Sequence, residues 1–322
     1  MSSIFMNNKW SWAKFLNTFD INSMNLLKNS LYFLVSFVCF SCANENTIEN
    51  LSEQKTISNK DLVFHKTYYV KDSVTIENCS ITFVDTSIFI MGKNAKIVFK
   101  NCVLLQPEKK EYFIHFKPKE SADFWDRLYF YDCNVILENA KFDEGLISCI
   151  NSTASLKNIE LTTKKNRIKD QKYPFIHLIK SDGTVANCLL DNSLKKWNGE
   201  GIIIENGSVS IHKNTINYVP DGIELIRCSN SFINENYIAN SFDDGIDIND
   251  SKNIIISNNT IINSRDKGIS IGSHFDRNRK NEKIIIKNNI IKNSKIGIAI
   301  KNSSEAILSN NIFENNETDY VK

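Results

Sequence analysis

Proline and glycine are both scarce in this sequence, at four and eleven among 322 residues. That excludes a collagen-like repeat, a proline-rich stalk and a string of flexible linkers. Charge of one sign is lacking too: 39 Lys and Arg stand against 37 Asp and Glu, a formal net charge of +2. The basic residues are scattered, so neither a field nor a stripe argues for a nucleic-acid partner. Neither an HExxH nor a Walker spacing occurs, which leaves zincin and NTPase chemistry without their motifs. Long apolar runs number one, at residues 31–40 (LYFLVSFVCF). Against these absences, isoleucine and asparagine recur throughout, over a 42% hydrophobic and 24% charged background that suits a globular protein.

The apolar run is about half the length of a membrane-spanning helix and fits the h-region of a signal peptide. Met24 and Lys28 precede it, so Met24 reads as the true start and residues 1–23 as an upstream extension; the alternative is a long n-region starting at Met1. The run ends in Phe40-Ser41-Cys42-Ala43-Asn44. A small residue before a Cys, directly after an h-region, resembles the lipobox of bacterial lipoproteins. That resemblance implies diacylation of Cys42, which becomes the first mature residue and anchors the chain to a membrane. An ordinary signal peptide cut near Ala43 is the other reading. Both export the chain, and the expected location is the outer membrane or cell surface of a bacterium. Residues 43–60 are polar and aperiodic, as expected of a tether. Six cysteines remain: Cys79, Cys102, Cys133, Cys149, Cys188 and Cys228. Export permits a disulfide framework, but three of them recur in NCSI, NCVL and NCLL, so they read as small core residues in repeated slots.

Two motifs keep one clock. Asp221-Gly222-Ile223-Glu224-Leu225, Asp244-Gly245-Ile246-Asp247-Ile248, Lys267-Gly268-Ile269-Ser270-Ile271 and Ile296-Gly297-Ile298-Ala299-Ile300 place glycines 23, 23 and 29 residues apart. In step run Asn214, Asn236, Asn259, Asn289 and Asn311, spaced 22, 23, 30 and 22. Short strands of alternating isoleucine separated by turns, with no sustained helical period, predict one all-β domain over 61–322. It is a single-stranded right-handed parallel β-helix with rungs of about 22–23 residues. The asparagines are expected at turns, where they tolerate left-handed backbone and bond to the asparagine one rung away. Residues 106–131 and 164–174 break the period and read as loops. The last rung is expected to leave an open edge that a protein partner could cover.

Alternation turns Ile223, Ile246 and Ile269 inward and Glu224, Asp247 and Ser270 outward. Asp221, Asp243, Asp244, Asp266, Glu224 and Asp247 then share one patch, with Lys267 at its upper side. Stacked carboxylates repel, which raises at least one pKa or demands a cation. The insertion 273–283 carries His274, Arg277 and Arg279 and is expected to overhang the patch. Asp-Gly and Asp-Asp are also ordinary turn chemistry, so a merely solvated face is the plain alternative. The other four histidines show no partner pattern and read as surface or packing residues.

Residues 200–320 resemble the pectin-lyase-like β-helix superfamily and, more distantly, polygalacturonase-type glycoside hydrolases. In those enzymes N-T-D-G, D-D, G-H-G-I-S-I-G and R-I-K rungs follow one another. Asp221-Gly222, Asp243-Asp244, Lys267-Gly268-Ile269-Ser270-Ile271-Gly272 and Ala299-Ile300-Lys301 fall at these places. Lys267 replaces the family's His, Ala299 its Arg and Pro220 its Thr. Bacterial right-handed β-helix repeat proteins, with DDGID and DKGIS rungs, are similar in motif. The resemblance implies an extracellular, acidic polysaccharide as partner. In a hydrolase one of Asp221, Asp243 and Asp244 is the general acid and another the base or nucleophile. In a lyase Lys267 is a candidate base, and Asp243, Asp244 and Asp247 are candidates to hold Ca²⁺. Glu224, Asp247, His274, Arg277, Arg279 and Lys301 are the candidate substrate contacts. A non-catalytic lipoprotein that binds glycan or a partner, and an assembly component, are the competing readings.

Overall fold

The computed structural model describes residues 48–105, 112–120, 124–164, 173–192, 199–273, 280–302 and 304–322. The export segment with Met24 and Cys42, and residues 43–47 of the expected tether, lie outside these. The described chain is an all-β solenoid in which the strand pairings are parallel. A 12-stranded sheet runs from Thr56–Ser58 to Thr318–Val321. The two other faces merge into a 21-stranded sheet, because Asn134–Asp143 and Thr153–Thr163 each run across both.

Register follows from the repeated isoleucines. Ile223, Ile246, Ile269 and Ile298 stack directly, as do Leu225, Ile248, Ile271 and Ile300. All but Ile300 are fully buried, and each such side chain contributes about 1.5–3 kcal/mol relative to exposure. A one-residue slip would turn every isoleucine outward, so the register is strongly specified.

The asparagine ladder exists, with its roles divided. Asn214, Asn236, Asn259, Asn289 and Asn311 sit inside the turn, where each Nδ2 donates to the next Oδ1 at 2.9–3.0 Å. Each also donates to a carbonyl one rung back, and in the middle of the ladder each Oδ1 also accepts from the backbone N–H of the rung before. These amides are therefore satisfied on both atoms. The left-handed backbone belongs to the residue before each of them: Lys213, Glu235, Asn258, Asn288 and Asn310, with φ between 53° and 58°. The expectation that the ladder asparagines themselves are left-handed is corrected accordingly.

The six cysteines are buried and free. Cys102, Cys133, Ser152 and Ser181 occupy one slot, each Sγ or Oγ reaching the carbonyl two residues back. Sulfur and hydroxyl are interchangeable there.

One of the two expected loops is corrected. Within 106–131, Ile114–Pro118 and Leu128–Tyr131 are regular strands with inward Ile114, Phe116, Leu128 and Phe130. Trp125, fully buried, stacks on Phe142. Phenylalanine fills the isoleucine positions, and charged neighbours obscure the alternation. The tether is corrected as well: Glu49–Asn50 pairs with Tyr68 and Tyr69, and Leu51 and Ile57 are buried, so the solenoid starts before residue 61. Of 164–174, residues 165–172 lie outside the description, and Tyr173 packs on the core.

Candidate functional site

The corner that leads into the 12-stranded sheet is built on glycine. A Cβ on Gly222 would meet Gly245 O at 2.5 Å and Ile238 Cγ2 at 2.5 Å, and Gly201, Gly245, Gly268 and Gly297 are equally crowded. This close stacking aligns the residues before them into one column: Glu200, Asp221, Asp244, Lys267 and Ile296. Asp221 Oδ1 accepts the Asp244 N–H at 2.9 Å, and Asp244 Oδ1 accepts the Lys267 N–H at 2.9 Å. These acids thus brace the corner as well as charging it. One position earlier stand Asp243, Asp266 and Lys295, joined by Asp266 N–H to Asp243 O. Lys267 Nζ donates to Asp244 Oδ1 at 3.2 Å and, more closely, to Asp266 Oδ2.

Two positions after the glycines, Glu224, Asp247, Ser270 and Ala299 lie in register on the outer face. Asn249 Nδ2 donates to Asp247 Oδ2 at 2.8 Å and to Glu224 Oε1 at 3.3 Å. The carboxylates form two trios, each with oxygens within 4.8 Å of one another: Asp221, Glu224 and Asp247, and Asp243, Asp244 and Asp266. The trio expected for Ca²⁺, Asp243, Asp244 and Asp247, is therefore split. The Lys267 ammonium already pairs with two carboxylates of one trio, and the Asn249 amide donates into the other. The expected residues do not fit a calcium ion.

Burial, then Asp247, push the Asp221 carboxyl up to about 9, although the Asp244 N–H works against them. Burial and Asp247 likewise raise Glu224 to about 7. Asp244 rises to about 6, as burial and Asp247 outweigh Lys267. For Lys267 burial favours the neutral amine, but Asp266 and Asp244 overcome it and hold the ammonium above its ordinary range. These two ion pairs favour the ammonium form of Lys267. Lys301 Nζ donates to Ser270 Oγ at 3.3 Å at the edge of the face. Gly268-Ile269-Ser270-Ile271-Gly272 has the spacing of a serine-hydrolase elbow but lies within the strand Lys267–Gly272, not at a strand-to-helix turn. His274, Arg277 and Arg279 lie outside the described residues.

Two acids and the partners of two histidines escaped the sequence reading. Glu200 and Glu205 belong to a further rung, Glu200-Gly201-Ile202-Ile203-Ile204-Glu205, whose glycine lies 21 residues before Gly222. That glycine–alternation frame was the available signal. His177 Nε2 lies 2.8 Å from Glu205 Oε1 on the same outer face. His115 also pairs with a carboxylate, Asp143, at 2.7 Å. Both pairs join residues 28 apart and leave no local pattern.

Residues 145–282 and, overlapping them, 176–321 match the family described as right handed beta helix region, together more than half of the chain. The chain belongs to this family. Among curated proteins none matches the sequence. Solved structures share the β-helix. A double mutant of the tailspike protein of E. coli bacteriophage HK620, in complex with a pentasaccharide, aligns with a TM-score of 0.53 at 11% identity, over 81% of this chain and 56% of that one. A second tailspike mutant with pentasaccharide gives 0.50 at 10% identity, over 81% and 59%. The A-module of mannuronan C-5 epimerase AlgE4 from Azotobacter vinelandii gives 0.42 at 13% identity, over 84% and 89%. This β-helix spans under three fifths of the tailspike chains, and at these identities the likeness is one of fold.

Proposed function

We propose that this β-helix binds a polysaccharide along the acid-bearing corner and cleaves a glycosidic bond there. The observation that carries the reading is the column of buried carboxylates, held rigidly by glycine stacking and divided in proton affinity. Asp221 keeps its proton at neutral pH, as a general acid must. Asp247, with an oxygen within 4.8 Å, supplies the facing carboxylate. Lys267 contributes a permanent positive charge beside Asp244. That the tailspike mutants were solved in complex with a pentasaccharide supports the choice of polymer. Export through residues 31–40 and anchoring at Cys42 belong to the same proposal, since such polymers lie outside the cell.

The test is to incubate the purified chain with pectic, alginate and glycosaminoglycan polymers, following reducing ends and the absorbance of unsaturated uronates. Asp221→Asn and Asp247→Asn are expected to lower turnover by about 100-fold or more. The corner stays folded in Asp221→Asn, because the carbonyl oxygen of the new amide still accepts the Asp244 N–H that the carboxylate holds in the wild type. Equal binding by wild type and variants without any product would establish a non-catalytic glycan-binding protein. Absence of both binding and cleavage would remove the polysaccharide from the account.

A further inference from the structure

One outward column of the 21-stranded sheet carries no charge. It runs from Val63 to Ile307, one residue per rung in parallel register. Its ends are apolar, with Val63 and Leu105 at one and Phe232, Ile255, Ile285 and Ile307 at the other, and hydroxyls such as Thr184 fill the middle. Ile307 is 67% exposed, Phe232 and Val63 50% and Leu105 44%. The neighbouring outward columns differ. That of the sheet's other half carries His115, Lys141 and Glu160, and that of the 12-stranded sheet carries His177, Glu224 and Asp247. Exposed strands ordinarily carry charges that keep them from sticking, and a continuous apolar patch marks an interaction surface. At about 4.8 Å per rung the column is about 50 Å tall, and strands of about five residues at about 3.3 Å each give a face of roughly 800 Å². That is the area one partner gives to a standard protein–protein interface.

We propose that a second copy of this chain covers the column, the two β-helices lying face to face with their rungs in step about a two-fold axis along the stacking direction. The inference stands apart from the polysaccharide reading. Both copies share one rung spacing, so each rung meets its own counterpart: apolar on apolar at the ends, hydroxyl on hydroxyl in the middle. Two sheet faces packed in this aligned way make an ordinary core. The flanking charges choose the orientation. This axis sets the residue two before the column against the residue two after it on the partner. Asp61 then comes beside the partner's His65, Asp182 meets no acid, and Lys283 against the partner's Lys287 is the one like-charge contact. A two-fold axis along the strands would instead reverse the rungs about Thr184. It would set Asp182 on the partner's Asp182 and Asp61 on the partner's Glu305. The carboxylate corner lies between the sheet's other half and the 12-stranded sheet, after Tyr237–Ala239 and before Ile246–Asn249, so it stays open in the dimer.

The experiment is sedimentation equilibrium of the purified chain across the micromolar range, as wild type, Phe232→Lys and Lys287→Glu. Wild type is expected to be a dimer. Phe232→Lys sets cation against cation in the apolar block and is expected to raise the dimer Kd by about tenfold or more. Its side chain is half exposed, and an unchanged circular dichroism spectrum shows that the β-helix is intact. Lys287→Glu turns the one like-charge contact into an ion pair and is expected to lower the Kd by about threefold, a gain that misfolding cannot produce. A monomeric wild type, or a dimer indifferent to Phe232→Lys, overturns the proposal. A trimer overturns the two-fold axis. A dimer that Phe232→Lys weakens but Lys287→Glu does not strengthen overturns the in-step orientation. Flotation of wild type but not of Phe232→Lys with phosphatidylglycerol vesicles assigns the face to a membrane and overturns the second copy as its occupant.

Discussion

Between residues 61 and 142 the core is largely aromatic: Phe89 stacks on Phe116 at 4.6 Å, Phe116 on Phe142 at 4.8 Å and Phe99 on Phe130 at 4.7 Å. Between residues 202 and 300 it is mostly isoleucine, and the corners pass from cysteine and serine to asparagine, glycine and acid. The aromatic half fits each rung to the next by shape, so neighbouring rungs differ. The isoleucine half repeats one side chain in one register, so any residue at a corner is set directly over its predecessor. Only the second arrangement can concentrate carboxylates within 4.8 Å of one another at chosen places. Regularity of the core is what makes the crowded corner possible.

The contrast is broken first in the core. Phe116→Ala is expected to cost about 3–5 kcal/mol, because its ring contacts Phe89, Phe142 and Trp125 at once. Ile248→Val in the other half should cost about 1 kcal/mol; urea unfolding of both variants checks the difference. The corners come next. Asn259→Ala removes the acceptor for two Asn236 donors and the donor to Ile233 O, all buried. A loss of about 2–3 kcal/mol is expected. Asn78→Ala should cost only about 1 kcal/mol, since it loses an exposed side-chain bond and a left-handed residue that tolerates its φ of 54°.

The comparison is sharpened again through pH. Asp221 and Glu224 have folded pKa values raised to about 9 and about 7, so the folded chain holds protons that the unfolded chain releases. Their stabilising contribution is complete below about pH 4 and is lost as pH rises through 7 and then 9. Wild-type stability should fall steadily between pH 5 and 9, and Asp221→Asn should flatten that slope. Unfolding curves at pH 5, 7 and 9 decide the matter; an unchanged slope in the variant would place the titration elsewhere.

The isoleucine half was legible because its period is written in residue types: Gly before alternating Ile, and Asn in step with it. The acid patch followed from the same alignment. The aromatic rung at Ile114–Pro118 and Leu128–Tyr131 was not, since phenylalanine and tyrosine replace the repeated isoleucine and Trp125 fills space from a non-strand position above Gly145. Glu200 was hidden because Ile203, not an acid, occupies the outward position of its rung. The lysine's pairing was hidden for a different reason. Sequence places Lys267 beside acids, but only the structure shows two carboxylates on its ammonium.

The step from Gly268 to Gly297 is six residues longer than its neighbours, yet Ile269 still lies over Ile298 and Asn259 still meets Asn289. Extra chain enters at a bend, after Gly272, and leaves before Glu282, and no strand partner changes. Length in this molecule is therefore of two kinds. Strand length is quantised, because one added residue would invert a face, whereas bend length is free. New surface can be grown at such a bend without renegotiating the interior of the chassis.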